Sequence, residues 1–500
     1  MSAETLPRSA AGKHNPWLMA CIASIATFME VLDTTVASVS LWHISASMGV
    51  SYQEGLWVIT SYLVANALIL PMSGWLANWF GRKRYYMGSV ALFTLASLMC
   101  SVAPTLEWLL LARVLQGIGG GGLAPIEQSM LVDSFHEKAR PKAFALYGVT
   151  ILFAPAIGPL VGGVITDALS WHWVFLINVP IGIISLLLSW RFIDEPPLLQ
   201  QEQRARRQRG IQLDWQGVLL VVIGFASLQL CLDRFERYDG FSSPFIIATA
   251  LIALICLSFL PLWEWFHPAP IVDVKLFRHR NFTLGAALMF LIGLLVISTT
   301  QLLPQMTQEL MNYDAWTSGL TLGAGGLFIL LSMMITGAIA SKMAHQQLLV
   351  VIGLLLSGLA LWHFSTLTLQ VDFSTLMWAR VLQMVGIPLI LIPVASLSYR
   401  GLPADKSSEA SAMSTLLRNL GGSIGIAWVA NALHQRSHLH YERLNEAVTL
   451  HDRVSVKTMA EAAWQQASFI AYLDIYWLLG MMALLACWLP LLFHKTAKVN

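Results

Sequence analysis

The chain has 500 residues, 56% hydrophobic and only 12% charged, where soluble domains carry about 25% charged residues. With a mean hydropathy of +0.64, this excludes a soluble domain on a single anchor and requires a polytopic membrane protein. The net charge of +2 decides nothing by itself, so its distribution along the chain carries the argument.

The first apolar stretch, Trp17 to Leu41, is longer than a signal-peptide core and is expected to be retained as a membrane span. Windows of about 20 apolar residues predict fourteen spans, near 17–40, 55–77, 86–103, 107–132, 142–166, 171–193, 214–232, 243–266, 281–303, 316–340, 346–367, 374–398, 408–433 and 472–494. An even count puts both termini on one side. With the N-terminus inside, cytoplasmic segments hold 21 Lys and Arg and external segments six, which fixes the expected orientation by the positive-inside rule.

Segment 1 carries Glu30 and Asp33 in FMEVLDTTVASV. Three residues apart, they lie on nearly the same helical face. Two carboxylates that close in a low-dielectric site will not both be ionised, so proton handling is expected there, with a non-titrating polar patch as the alternative. The loop GWLANWFGRKR runs from Gly74 to Arg84. Gly74 and Gly81 permit a tight turn around Asn78, and Arg82, Lys83 and Arg84 lie at the cytoplasmic face.

Segment 4 places Arg113 in the apolar run LLLARVLQGIGGGGLAP, followed by Gln116 and Gly117. A charge at bilayer depth is retained for function and needs a partner. At 1.5 Å per residue, Asp33 lies about 10 Å and Arg113 about 9 Å below the outer surface. One layer therefore holds an acid and a base that can pair and separate. Glu127 lies near the inner end of segment 4, either as a substrate or proton contact or as a helix-end charge.

Segment 5 reads ALYGVTILFAPAIGPLVGGV. Pro155 and Pro159 each remove a helix hydrogen bond, and Gly158, Gly162 and Gly163 leave the backbone bare. The Gly158 to Gly162 spacing suits close helix approach. The expectation is a kinked helix at a moving interface. The Gly119 to Gly122 run is read as helix packing. No GxxxxGK motif followed by Ser or Thr occurs, so ATP is not the expected energy source. The five cysteines are scattered through apolar segments and indicate neither a disulfide framework nor a metal site.

The words of segment 4 return in segment 12. Ala112 to Gln116 is repeated as Ala379 to Gln383, an offset of 267, so Arg380 and Gln383 are counterparts of Arg113 and Gln116. The register holds into the next segment, where Ile157 and Gly158 match Ile424 and Gly425. This is read as an internal duplication, the common construction of secondary transporters. The expected organisation is a cytoplasmic N-terminus 1–16, a six-helix half 17–193, a basic cytoplasmic linker 194–213, two inserted helices 214–266, a second six-helix half 281–494 and a cytoplasmic tail 495–500. Arg418 is the remaining arginine within a span. The one long external segment, 434–472, is expected to form a helical hairpin outside the bilayer. Its histidines lack cysteine or clear carboxylate partners, so no metal is assigned.

Together these stretches resemble the major facilitator superfamily. GWLANWFGRKR is similar to its loop 2–3 motif, ARVLQGIGGG to its span 4 motif and APAIGPLVGG to the antiporter motif of drug and proton exchangers. Fourteen spans resemble the drug:proton antiporter-2 family. LDTTVASV, WHWVFLINVPIG and GLPADKSSEASAMSTLLRNLGGSIG narrow the resemblance to the EmrB type, over nearly the whole chain. The resemblance implies an all-α major facilitator fold and no enzyme activity. It implies export of lipophilic drugs or toxic compounds from the bacterial inner membrane by alternating access, driven by the proton gradient without a cofactor. It also implies a periplasmic adaptor of the EmrA type and an outer-membrane channel of the TolC type. Export of one endogenous metabolite, such as a siderophore, fatty acid or aromatic acid, is the alternative. Asp33 carries over as the span 1 acid, Arg113 as the span 4 arginine, and Pro155, Gly158, Pro159, Gly162 and Gly163 as the antiporter motif. The chain departs from the family at Asn78, where an acid is usual, and at Trp42, where a proline often stands. Glu30 and Glu127 rest on the residues alone.

Overall fold

The computed structural model describes residues 15–195, 214–235, 238, 240–268, 270–403, 406–446 and 456–494. The terminal segments, the basic linker and His451 fall outside them. Among the described residues the chain is helical and forms no strand. The long helices are α1 (Pro16–Val39), α2 (Trp57–Phe80), α3 (Arg82–Ser101), α4 (Leu106–Ser134), α5 (Arg140–Ala168), α6 (His172–Phe192) and α7 (Trp215–Arg234). They continue with α8 (Pro244–Phe266), α9 (Arg280–Glu309), α10 (Ala315–Lys342), α11 (Gln347–Phe364), α12 (Phe373–Ser398), α13 (Ser407–Glu446) and α14 (Val456–Leu485). Several begin where a side chain caps the first turn: Asn15 for α1, Thr105 for α4, Asp214 for α7, Asp314 for α10 and Asp372 for α12. Each oxygen accepts from a backbone N–H that the helix itself leaves unpaired.

Eleven helices among the described residues are long and apolar enough to cross a membrane. The other three of the fourteen expected spans, α3, α5 and α13, fall outside that set. α3 and α13 bury polar residues, Ser89, Thr94 and Ser97 on α3, and Ser408, Ser411 and Ser414 on α13. α5 and α13 use glycine for close approach. α3 packs on α4, α5 on α1, and α13 on α9.

The duplication is visible in the element boundaries. α4 and α12 begin at Leu106 and Phe373, and α5 and α13 at Arg140 and Ser407. Both pairs are separated by the repeat offset. The α1/α5 contact recurs as α9/α13, and both are glycine-mediated. A Cβ on Gly158 would overlap Thr35, one on Gly162 would come 3.1 Å from the Val36 carbonyl, and one on Gly425 would overlap Ser298.

One element differs from its sequence expectation. α4 is interrupted by a turn at Gly121 and Gly122, because consecutive glycines carry the largest backbone entropy loss in a helix. Its glycines do pack closely: a Cβ on Gly119 would lie 2.6 Å from the Phe93 backbone. α5 is helical through Pro155. The segment 434–472, expected as a helical hairpin, is helical wherever it is described, since α13 continues to Glu446 and α14 starts at Val456. No glycine or proline follows Gly425 on α13 to stop it.

Among the described residues, one apolar cluster joins the two halves at one end. At the end where α1 starts, one apolar cluster combines Leu131, Phe135, Phe144 and Tyr147 with Met333, Leu391, Tyr399 and Met413. At the opposite end each half has its own cluster, around Leu41, Val58 and Phe175 in the first and around Leu310, Phe364 and Tyr476 in the second. α7 packs on α8 and lies against both α2 and α13. α8 turns a broad apolar face outward, with Leu254, Ile255 and Leu262 all exposed.

Candidate functional site

Between the halves lies a cavity of about 490 Å³. Its wall is mostly aliphatic, including Leu152, Ile292, Val296, Ile329 and Met384, with a few polar side chains among them. An apolar pocket with a small number of convergent polar groups is the usual form of a small-molecule site. The first half contributes Glu30, Tyr62 and Asn66, and the second Thr300, Arg380 and Arg418. Glu30 Oε1 accepts from Tyr62 Oη at 3.0 Å and from Asn66 Nδ2 at 3.1 Å.

Asp33 is on the same helix but faces elsewhere. Three residues turn an α-helix by about 300°, so Glu30 reaches the cavity while Asp33 points into the first half. There Arg113 Nη1 donates to Asp33 Oδ2 at 2.6 Å and to Gln116 Oε1 at 2.6 Å. Gln116 Nε2 donates to Asp33 Oδ1 at 3.0 Å and Asn178 Nδ2 donates to the same oxygen at 2.6 Å. Arg113 Nε reaches the Val58 carbonyl at 3.0 Å. The guanidinium also lies over the rings of Tyr62 and Phe175, at 4.4 and 5.4 Å. Both charges are inaccessible, Arg113 at 0% and Asp33 at 1% exposure, and neither lines the cavity. Tyr62 connects the two layers, with its hydroxyl on Glu30 and its ring against Arg113.

Glu127 is fully buried and accepts from Ser24 Oγ at 2.5 Å. It belongs to the α1/α4 contact and lies off the cavity wall, so the helix-end and substrate-contact readings both give way to a buried hydrogen-bonded carboxyl. Pro155 lines the cavity. Gly158 and Gly162 face α1, whereas a Cβ on Gly163 would meet nothing within 4 Å. The side chain of Pro159 falls outside the described residues. A Cβ on Gly117 would come 2.5 Å from the Tyr62 carbonyl, so this glycine sets the α2/α4 approach that brings Tyr62 under Arg113.

The loop after α2 closes the cavity at the joined end. Gly81 takes φ +96°, which glycine tolerates at the turn. Gly74 brings α2 against α13, where an added Cβ would lie 2.7 Å from Glu409 Cα. Asn78 Nδ2 donates to Glu409 Oε1 at 3.1 Å. Arg82 pairs with Asp133 and donates to Ser407 Oγ at 2.9 Å. Lys83 reaches the Trp190 carbonyl at 2.9 Å, and Arg84 is exposed. Lys406 bridges Glu409 at 3.0 Å and Asp273 at 2.8 Å. Burial works against the Lys406 charge, but these two carboxylates outweigh it and hold its ammonium above the ordinary lysine range. At position 78, where the family usually has an acid, an amide thus pairs with Glu409 on the other half.

In the second half, Arg380 Nη1 donates to Thr299 Oγ1 at 2.9 Å and to Gln383 Oε1 at 2.8 Å, and Nη2 donates to Thr300 Oγ1 at 2.8 Å. The Arg–Gln grip is thus repeated, but it closes on hydroxyls where the first half closes on Asp33.

Residues 23–426 match the Major Facilitator Superfamily. The chain belongs to this superfamily. It is 36% identical to the Multidrug export protein EmrB of Escherichia coli K12 over 86% of this chain and 83% of that one. It is 33% identical to the Fatty acid resistance protein FarB of Neisseria gonorrhoeae over 89% of this chain and 86% of that one. The proton:xylose symporter XylE, bound to 6-bromo-6-deoxy-D-glucose, shares the fold with a TM-score of 0.62 at 15% identity, covering 94% of both chains. The protein is thus a multi-pass membrane transporter of the superfamily, a class without enzymes. Sequence reasoning missed Tyr62, Asn66 and Asn178. A signal existed for the first two, polar residues four apart in the apolar run SYLVANALIL, which share one helix face.

Proposed function

We propose that this protein exports lipophilic drugs and toxic compounds across a bacterial inner membrane by drug:H⁺ antiport. The observation that carries the proton coupling is the buried Asp33–Arg113 pair, whose arginine lies over the ring of the cavity-lining Tyr62. A carboxylate paired at bilayer depth loses its partner's hold when protonated, which gives the helices α1 and α4 two arrangements with different proton occupancy. Alternating access requires the gate between α2 and α13 to open in one arrangement and hold in the other. The EmrB-type relatives support drugs as the substrate class. The FarB relative favours a second reading, a dedicated exporter of a fatty acid. The distribution of Lys and Arg supports cytoplasmic termini, so the closed end of the cavity is cytoplasmic. Delivery to a periplasmic adaptor and an outer-membrane channel completes the proposal, because lipophilic cargo released beside the inner membrane re-enters it.

The test is a susceptibility screen of a deletion strain with expression restored, paired with proteoliposome export of ethidium under an imposed proton gradient. Restored resistance with gradient-dependent export supports antiport. Export that ignores the gradient overturns the proton coupling, and absence of any resistance phenotype overturns the drug reading.

A further inference from the structure

The offset of the internal repeat carries Asp33 onto Thr300. In the first half the buried arginine of the ARVLQ word meets a carboxylate. In the second half the same arginine, 3% exposed, meets the hydroxyls of Thr299 and Thr300, each of which donates its own proton to a carbonyl of α9. Among the described residues no carboxylate lies within 4.0 Å of Arg380 or of Arg418. Arg380 Nε has no hydrogen-bond partner. Arg418 is 8% exposed and donates Nη1 to Tyr147 Oη at 3.1 Å. Both arginines line the cavity; the one carboxylate on that wall, Glu30, is held by Tyr62 and Asn66 and interacts with the Arg418 charge, so the counter-charge is missing at Arg380.

A buried charge without a counter-charge is strongly unfavourable, and at bilayer depth such a residue marks a ligand path. Hydroxyls orient a guanidinium without neutralising it. An aliphatic wall supplies no counter-charge either.

We propose that the cavity contains an anion subsite built by Arg380 and Arg418, which takes lipophilic molecules bearing a single carboxylate. The aliphatic wall receives the apolar body, and the carboxylate supplies the charge-assisted hydrogen bonds that the guanidinium lacks. The transport consequence rests on the exporter reading above; the binding itself does not.

The experiment uses the full-length protein in lipid nanodiscs, with 2-naphthoate and its neutral near-isostere 2-naphthamide titrated calorimetrically. The wild type is expected to bind the carboxylate at least about tenfold more tightly. Arg380→Gln is expected to erase that preference, Arg380→Lys to retain part of it, and Arg418→Gln to weaken it. Thr300→Asp recreates in the second half the pair present in the first. It is expected to erase the preference with the arginine still in place, so the test survives if Arg380→Gln does not fold. Equal binding of the two compounds by the wild type, or an intact preference in folded Thr300→Asp, overturns the subsite. Ethidium export in proteoliposomes separates the two readings. Intact export alongside a missing carboxylate preference overturns the subsite alone. Absent export alongside an intact preference overturns the exporter reading alone.

Discussion

Asp33 and Glu30 divide the work of α1 between a closed charge pair and an open cavity wall. Asp33 accepts from Arg113, Gln116 and Asn178, so its substitution tests charge and hydrogen bonding separately. Asp33→Asn keeps the size of the side chain and its capacity to accept one hydrogen bond but removes the charge. Proton release on substrate addition is expected to be lost in proteoliposomes, while the protein remains folded and monodisperse. Asp33→Ala also removes the acceptors and leaves Arg113 buried alone, which is expected to cost about 3–5 kcal/mol in addition, visible as a lowered thermal midpoint. Wild-type proton release by Asp33→Asn would remove Asp33 from the coupling mechanism. Tyr62→Phe keeps the ring over Arg113 and deletes the donor to Glu30. If Tyr62 links the two layers, this variant retains the fold and substrate binding but exports with fewer protons moved per molecule.

At the scale of elements, helix approach and gate closure are set by single positions. Gly158 lies where any side chain overlaps Thr35 on α1, whereas Gly163 faces open space. Gly158→Leu is expected to abolish export and to destabilise by about 1–3 kcal/mol through overpacking. Gly163→Ala is expected to leave transport unchanged. Equal activity of the two variants would show that α1 and α5 need not approach closely. The gate has a comparable control point. Lys406 ties Asp273, in the segment after the inserted helices, to Glu409 on α13, and Glu409 in turn holds Asn78 on α2. The inserted pair is thereby linked to the gate between the halves. Lys406→Met removes two partly exposed ion pairs, together worth about 1 kcal/mol, a roughly fivefold rise in the opened population. The rate of thiol labelling of Ser408→Cys, a buried gate position, reports that rise. An unchanged rate would separate the inserted helices from gating.

For the whole molecule, the two halves share one apolar cluster at the closed end and keep separate clusters at the other. On the alternating-access proposal, rocking of one half on the other would move the ends of α13 and α14 that project beyond the second cluster. Arg436 and His440 on α13 both bind Asp474 on α14, and Tyr441 packs on Trp464, so the two helices of the projection are tied together where they are described. We expect it to dock a periplasmic adaptor. Replacing residues 437–468 with a short Gly/Ser linker should preserve proteoliposome transport while abolishing whole-cell resistance and adaptor co-purification. Unchanged co-purification would leave the projection as a passive cap over the cavity.

Much of this was legible in the sequence, because hydropathy and length dictate which segments cross a bilayer and an exact offset betrays a duplication. The Asp33–Arg113 layer was legible for the same reason: the helical rise converts residue counts into depth. Depth, however, is only one coordinate. Rotation about the helix axis decided that Glu30 faces the cavity while Asp33 does not, and that Glu127 is sealed against Ser24. The distance between halves decided that Glu409 answers Asn78 and that Thr299 and Thr300 surround Arg380. α13 runs on from its predicted span into the projection, where no glycine or proline stops it. Sequence by itself determined the elements and their order, and brought Asp33 and Arg113 to one layer. Only tertiary structure decided which faces meet, because a helix satisfies its own backbone in any rotation and its neighbours alone select one.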